Sequence, residues 1–224
     1  MTCCVIVFAK APIPGYAKTR LAKKIGNQAA AQLASRMLQA AVEQALAARL
    51  GPVELCCSPD TSHPAFGELQ QRLNMDPEMR LSLTEQGEGD LGQRMHRAFV
   101  RALRRTPRVL LTGTDAPLLD AAYLQNAAAA LNQDALHDHA AVFAPTFDGG
   151  YAMIGLNRDI PELFTDMPWS TDAVMALSRQ RLAQVPGLSH LELGQLHDID
   201  EAPDLIHVPT EWLTQAGIKD IDMT

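Results

Sequence analysis

Cys3-Cys4-Val5-Ile6-Val7-Phe8-Ala9-Lys10-Ala11-Pro12-Ile13-Pro14-Gly15-Tyr16-Ala17-Lys18-Thr19-Arg20 is an apolar run that gives way to a cationic, Pro/Gly-containing loop. The run from Cys3 to Ala9 has the length and flanks of a buried strand. A helical pattern then extends from Asn27 to Leu50, with Leu33, Met37, Leu38, Ala41, Val42, Ala45 and Leu46 on one face. The first 42 residues carry six Lys/Arg and no Asp or Glu, which leaves 13 basic against 26 acidic residues in the remainder of a chain whose net charge is −7. Such a local surplus of cations in an acidic protein points to an anionic ligand. Lys18 and Arg20 fall near a predicted helix N-terminus, where cations are unfavourable by some tenths of a kcal/mol unless phosphate oxygens sit among them and the free backbone N–H groups. A merely solubilising basic loop is the alternative. Pro12, Pro14 and Gly15 stiffen the loop, which favours the phosphate reading.

The strand-then-helix pattern continues. Strands are predicted at Cys3 to Ala9, Val53 to Ser58, Arg80 to Thr84, Arg108 to Gly113, Ala140 to Pro145, Tyr151 to Leu156 and, late in the chain, near Leu191 to Leu193. Further helices are predicted from Gly92 to Arg105, Ala121 to Leu131 and Thr171 to Leu182. This alternation predicts an α/β protein, a three-layer sandwich whose mostly parallel sheet is covered on both faces. In such sheets ligands bind beyond the carboxyl ends of the strands, which is where Lys18, Arg20, the segment Gln86 to Arg94, Asp115 and Asp148 fall.

At 224 residues, 47% hydrophobic and 20% charged, the chain is expected to form one domain spanning residues 1–224, with no linker and no internal repeat. No apolar run approaches membrane-spanning length, and the apolar start lacks a signal peptide's preceding positive region, so a cytoplasmic location is expected. The net charge of −7 and only 5% aromatic residues disfavour a nucleic-acid partner. Cys3-Cys4 and Cys56-Cys57 invite a zinc reading, but parallel strands would hold the two pairs roughly 10 Å apart, so buried, reduced thiols are expected. The seven histidines, His137 and His139 in a polar loop among them, form no ligand pattern.

Asp115 ends an apolar strand, and Ala116-Pro117 stops the chain from continuing it. A carboxylate there suits a divalent cation such as Mg²⁺, which needs only one or two protein carboxylates when phosphates and water complete its shell; a turn aspartate is the alternative. In His197-Asp198-Ile199-Asp200-Glu201-Ala202-Pro203-Asp204 the period of two places Asp198 and Asp200 on one face of an extended segment, with a helix expected from Pro203. One of them with Asp115 would complete a two-carboxylate site, whereas Asp204 reads as a first-turn helix acid. Gln86-Gly87-Glu88-Gly89-Asp90-Leu91-Gly92-Gln93-Arg94 is a glycine-rich loop entering a helix, able to contact a base or ribose, with Asp90 equally readable as an N-cap. Asp148-Gly149-Gly150-Tyr151 reads as a hairpin turn whose glycines also permit close approach of an acceptor. Trp169-Ser170-Thr171 offers an N-cap and an aromatic face.

Phe8-Ala9-Lys10-Ala11-Pro12 through Lys18-Thr19-Arg20-Leu21, Gly113-Thr114-Asp115-Ala116-Pro117-Leu118, Asp148-Gly149-Gly150-Tyr151 and Trp169-Ser170-Thr171 together resemble the nucleotide-diphospho-sugar transferase superfamily, the GT-A fold, and in particular its uncharacterised bacterial glycosyltransferase-like branch of DUF2064 type. The basic loop is similar to one in 2-phospholactate guanylyltransferases. The segment from Asp198 resembles the Asp-Val-Asp-Thr-Pro-Glu-Asp-Leu pattern of nucleotidyltransferases, but reads Glu201-Ala202-Pro203 where Thr-Pro-Glu is usual, so the choice between Asp198 and Asp200 stays open. The Asp-x-Asp of many GT-A glycosyltransferases is absent; Thr114-Asp115 stands in its place.

The resemblance implies a transferase dependent on Mg²⁺ or Mn²⁺ and using a nucleotide donor. Asp115 with Asp200 or Asp198 would hold the metal, and Lys18, Arg20 and Asp115 would carry the chemistry. Ala9, Lys10, Pro12, Gly15, Gln86, Gly89, Asp90, Gly92 and Arg94 would bind the nucleotide. Asp148, Gly149, Gly150, Tyr151, Trp169, Ser170 and Thr171 would bind a small-molecule acceptor. Nucleotidyl transfer from a nucleoside triphosphate to a phosphorylated small molecule is slightly favoured over glycosyl transfer from a nucleotide-sugar, and a non-catalytic nucleotide or nucleotide-sugar binder is the third reading. Neither a membrane nor a nucleic acid is expected as partner, and homodimerisation is left open.

Overall fold

A computed structural model describes residues 2–74, 80–131 and 139–218; His137 lies outside them. Seven strands, β1 (Cys4–Lys10), β2 (Val53–Ser58), β3 (Leu81–Glu85), β4 (Val109–Thr112), β5 (Ala141–Pro145), β6 (Tyr151–Leu156) and β7 (His190–Glu192), form one sheet in the order β3-β2-β1-β4-β6-β5-β7. All neighbours pair in parallel except β6, which runs antiparallel to both β4 and β5. The α/β class and mostly parallel sheet read from the sequence are therefore present. The antiparallel member follows from the Asp148-Gly149-Gly150 turn, which returns β5 as a hairpin too short for a parallel crossover.

Alternation along each strand divides the core. Val5, Val7, Leu55, Leu110 and Val142 pack with Leu38 and Val42 of α2 (Asn27–Ala47), Phe66 of α3 (Pro64–Leu73) and Leu124 of α5 (Ala121–Ala130). Ile6, Cys56, Leu111, Phe143 and Ile154 face Met95 and Phe99 of α4 (Leu91–Leu103) and Met175 of α6 (Val174–Gln184) on the opposite side. Side chains one residue apart thus feed opposite layers, as strand geometry dictates. Glu54 is the charged residue buried inside β2, where Arg101 of α4 (2.9 Å) and Arg105, just beyond the end of that helix, neutralise it.

Several elements differ from expectation. The loop after β1 contains a short helix, α1 (Thr19–Ile25), which the cation-rich sequence disguises because its first turn has no acidic residue. Helix α3 begins on Pro64, and the His63 ring accepts from the Ala65 N–H (3.3 Å) in place of the usual capping side chains. The helix expected from Pro203 is a 3-10 segment, Ala202–His207, followed by α7 (Thr210–Gln215). Trp169-Ser170-Thr171 does not cap α6, which starts at Val174 after Ala173 with no side-chain cap.

All four cysteines are free and buried. Phe8 and Ala9 pair with Cys56 and Cys57, so the two cysteine pairs lie several residues apart along adjacent strands. Burial pushes the thiols of Cys3, Cys4 and Cys57 up to about 12, which keeps them protonated.

Gly155 of β6 lies where a Cβ would approach Leu110 Cδ2 to 2.5 Å and Val142 Cγ1 to 2.6 Å. Gly155→Val is therefore expected to destabilise the protein by about 1–3 kcal/mol through overpacking. A urea titration checks this: the midpoint should fall with its slope unchanged, and an unaltered midpoint would refute the packing argument.

Candidate active site at the switch between β1 and β4

Successive strands run outward from β1 to β2 and β3 in one direction, and β4 lies on its other side, so the topological switch falls between β1 and β4. The chain leaves the carboxyl end of β1 as the basic loop and that of β4 as Gly113-Thr114-Asp115. The Asp198-Ile199-Asp200 segment returns to this crevice. Ile199 fixes its position, being fully buried in a third cluster with Leu21 of α1, Leu33 and Met37 of α2, Leu205 and Trp212. The Ile199 N–H also donates to the Asp115 carbonyl at 2.9 Å. With Ile199 turned inward, Asp198 and Asp200 on either side turn toward the crevice.

Lys18 immediately precedes α1 in a left-handed conformation, φ 49° and ψ 47°, that L-residues adopt at a cost. Its ammonium donates to Asp115 Oδ1 at 2.8 Å, to Asp200 Oδ1 at 3.1 Å and to the Ile199 carbonyl at 2.5 Å. The Lys18 side chain is only 6% exposed, whereas the Asp115 and Asp200 side chains are 46% and 43% exposed. Burial disfavours the charged amine, but the two carboxylates outweigh it and hold the Lys18 pKa above its ordinary value. Arg20 is 58% exposed and stands 3.8 Å from the other oxygen of Asp200, Oδ2.

Two cavities meet at this group, both lined by Phe8, Arg20, Leu91, Gly113, Asp115 and Asp200. One, of about 390 Å³, also takes in Lys10, Tyr16, Lys18, Ser58, Gln86 and Arg94, and is rich in cations. The other, of about 350 Å³, takes in Met95, Leu111, Thr146, Asp148, Gly150, Tyr151, Trp169, Ser170, Thr171, Val174 and Asp198, and among the described residues Arg20 is the only cation that lines it. Asp198 is half-buried, and that burial together with Asp148 and Asp200 pushes its carboxyl up to about 6. Tyr151 packs against Phe143 and Trp169 (5.4 and 6.4 Å between ring centroids), and burial raises its pKa, so it presents a neutral ring.

The residues singled out from sequence thus separate. Lys10, Lys18, Arg20, Gln86, Arg94, Asp115, Asp148, Gly150, Tyr151, Trp169, Ser170, Thr171, Asp198 and Asp200 line one cavity or both. Ala9, Pro12, Gly15, Gly89, Asp90, Gly92 and Gly149 line neither. Asp90 caps α4, its side chain accepting from the Gln93 N–H at 2.8 Å in a capping box. Gly92 makes room for Phe164 and Trp169, since a Cβ would lie 2.3 Å from the Phe164 carbonyl. Gly149, at φ 90°, lets the hairpin touch the backbone of Asp172 and accepts from the Met175 N–H. Arg97 was not foreseen: with Arg94, one turn earlier on α4, it binds the carbonyls of Gln86, Glu88 and Gly89 and so ties down the loop. Their i, i+3 spacing was the available signal. Gln86 itself donates to the carbonyls of Ala9 (3.2 Å) and Cys56 (3.1 Å), bridging the ends of β1 and β2.

Among the described residues no group of three or more His, Cys, Asp or Glu side chains is gathered as a metal site. The donor set at the switch is two carboxylates from separate segments converging on one cation. Paired hard-oxygen ligands of that kind suit Mg²⁺ or Mn²⁺ when a ligand's phosphates supply the remainder.

The fold is that of an α/β protein of the kind seen in nucleotide-diphospho-sugar transferases. A protein from Desulfovibrio desulfuricans G20, provisionally assigned as a nucleotide-diphospho-sugar transferase, superposes with a TM-score of 0.79 at 26% identity, over 97% of this chain and 94% of that one. Residues 41–171 match the family described as uncharacterized protein conserved in bacteria (DUF2064), and the chain belongs to that family. The fold is shared more distantly with CMP:2-keto-3-deoxy-manno-octonic acid synthetase complexed with CTP (TM-score 0.57, 11% identity, 97% and 99% of the two chains). It is shared also with 4-diphosphocytidyl-2C-methyl-D-erythritol synthase from Anaerococcus prevotii DSM 20548 (TM-score 0.58, 10% identity, 94% and 97%). No curated protein matches the sequence. No helix of the described residues is long and apolar enough to cross a membrane.

The raised Asp198 pKa makes stability depend on pH. Unfolded, the carboxyl titrates near the ordinary value of 3.8, and folded near 6, so folding stability is lost as pH rises through that window. In the presence of a chelator, Asp198→Asn should melt at a higher temperature than wild type at pH 7.5 and at the same temperature at pH 3.5. Equal melting at both pH values would show that the fold does not raise the Asp198 pKa.

Proposed function

We propose that the chain is a single-domain, Mg²⁺-dependent transferase using a nucleotide donor, with nucleotidyl transfer from a nucleoside triphosphate to a phosphorylated small molecule as the leading reaction. One observation carries this reading: Asp115 and Asp200, distant in sequence, meet at the border between a cation-rich cavity and an acidic, aromatic one. Lys10, Arg20 and Arg94 line the first, which suits a triphosphate with its base toward Gln86. Tyr151 and Trp169 offer ring surface in the second, and Asp148 and Asp198 offer acceptors for hydroxyl groups. Asp115 and Asp200, with Asp198 next to them, would hold the Mg²⁺, which when bound neutralises charge on phosphate oxygens.

In the leading reaction an oxygen of the acceptor phosphate attacks the α-phosphorus, a new P–O bond forms, and the bond to the β-phosphate bridging oxygen breaks to release pyrophosphate. Arg20 lines both cavities and so stands where acceptor phosphate and donor phosphates meet; its guanidinium can offset charge on either. The chain's contribution is positioning and electrostatics, with no nucleophilic side chain required. Glycosyl transfer from a nucleotide-sugar is the second reading. The acidic, aromatic cavity favours it, because ring faces and carboxylates suit a hydroxylated ring better than a second phosphate.

Thermal-shift measurements with each nucleoside triphosphate and with UDP- and GDP-sugars, in Mg²⁺ and in EDTA, test the proposal. A ligand at a hundred times its dissociation constant adds about 2.7 kcal/mol, so stabilisation by one triphosphate in Mg²⁺, lost in EDTA and in Asp115→Asn, is the expected outcome. Stabilisation by nucleotide-sugars alone would select the second reading, and metal-independent stabilisation would remove Asp115 from the proposed role.

A further inference from the structure

We infer that Lys18 is a positioning residue which stays behind the paired carboxylates and aims them at the metal, rather than a residue that touches the phosphates. The inference rests on the reading that Asp115 and Asp200 hold a divalent cation. A lysine ammonium has three N–H donors, and here three acceptors surround it: Asp115 Oδ1, Asp200 Oδ1 and the Ile199 carbonyl. No donor is left for a phosphate oxygen. Both carboxylates spend the same oxygen, Oδ1, on Lys18. The Oδ2 atoms are left for other partners, and that of Asp200 lies toward the exposed Arg20.

Burial orders the group in depth. Lys18 is almost completely enclosed while both carboxylates remain nearly half exposed, so the amine lies on the protein side and the carboxylates on the cavity side. The surrounding structure is built to keep it there. The left-handed backbone at Lys18 precedes Leu21 of α1, and Leu21 packs in the same buried cluster as Ile199, whose carbonyl is the third acceptor. Withdrawal of the amine would leave that carbonyl without its donor and two carboxylates facing each other uncompensated. Arg20, two residues on and 58% exposed, is by contrast free to reach a ligand. The adjacent cations divide the work: Lys18 holds the ligands of the metal, and Arg20 reads the anion.

The test uses Mn²⁺ alone, without nucleotide, so that it reads the carboxylate pair and not turnover. Mn²⁺ affinity is measured by electron paramagnetic resonance for wild type, Lys18→Met, Lys18→Arg and Asp115→Asn. In parallel, acylation of the Lys18 amine in the wild-type protein is followed by peptide mass spectrometry, with and without Mn²⁺ and pyrophosphate. The expected result is at least about a tenfold loss of Mn²⁺ affinity in Lys18→Met, partial recovery in Lys18→Arg, and a Lys18 amine as protected with Mn²⁺ and pyrophosphate as without. Unchanged or tighter Mn²⁺ binding in Lys18→Met would overturn the inference, as would a Lys18 amine that becomes reactive when the metal or pyrophosphate binds. The labelling uses wild-type protein and so decides the matter even if Lys18→Met does not fold. If Mn²⁺ binding is lost in Asp115→Asn but kept in Lys18→Met, the metal reading stands and this inference alone fails; absence of binding in wild type overturns both.

Discussion

The Lys18 ammonium ties together three segments that the sheet alone would leave separate: the loop after β1, the end of β4 and the stretch around Ile199. Two carboxylates brought this close repel, and a buried lysine alone would be driven toward its neutral form. Each defect offsets the other. Packing supplies the rigidity. Ile199, enclosed with Leu21, Leu33 and Met37, fixes the depth of the segment, so that its two flanking aspartates face outward together. The charges define the arrangement, and the apolar cluster beneath them makes it persist.

From that knot the two cavities acquire opposite character. Lys10, Arg20 and Arg94 give one side positive potential, while Asp148 and Asp198 give the other a negative one, with Asp115 and Asp200 on the boundary. On the proposed reading, a polyanionic donor would be drawn to the first side with its reacting phosphorus at the border. A bulky anionic group deep in the second cavity would be repelled, so an acceptor phosphate would lie near the border, within reach of Arg20. Arg94 and Arg97 add stiffness by clamping the carbonyls of the Gln86-to-Gly89 loop.

Much of this was legible in the sequence because it depends on local rules. The unbroken apolar run from Cys3 to Ala9, the Pro stop after Asp115 and the alternation of Asp198 with Asp200 each follow from strand geometry, and the fold class follows from the order of strands and helices. The glycines and the aspartate of the Gln86-to-Arg94 loop were legible as a loop and a cap, but not as residues set back from the cavity. Helix α1 was hidden by its cations. The contacts of Lys18 were least accessible: a lysine in a basic loop reads as a phosphate ligand, and its contact with Asp200 spans 182 positions. Its pairing with Asp115, Asp200 and the Ile199 carbonyl exists only once Ile199 has packed against Leu21.

Anomalous scattering from crystals grown with Mn²⁺ and a non-hydrolysable nucleoside triphosphate would show where the metal and the phosphates lie. One manganese peak shared by Asp115 and Asp200 is expected, with the phosphates on the Lys10, Arg20 and Arg94 side. A bound nucleotide whose phosphates lie in the Tyr151 and Trp169 cavity, or a manganese ion that touches neither aspartate, would contradict this arrangement.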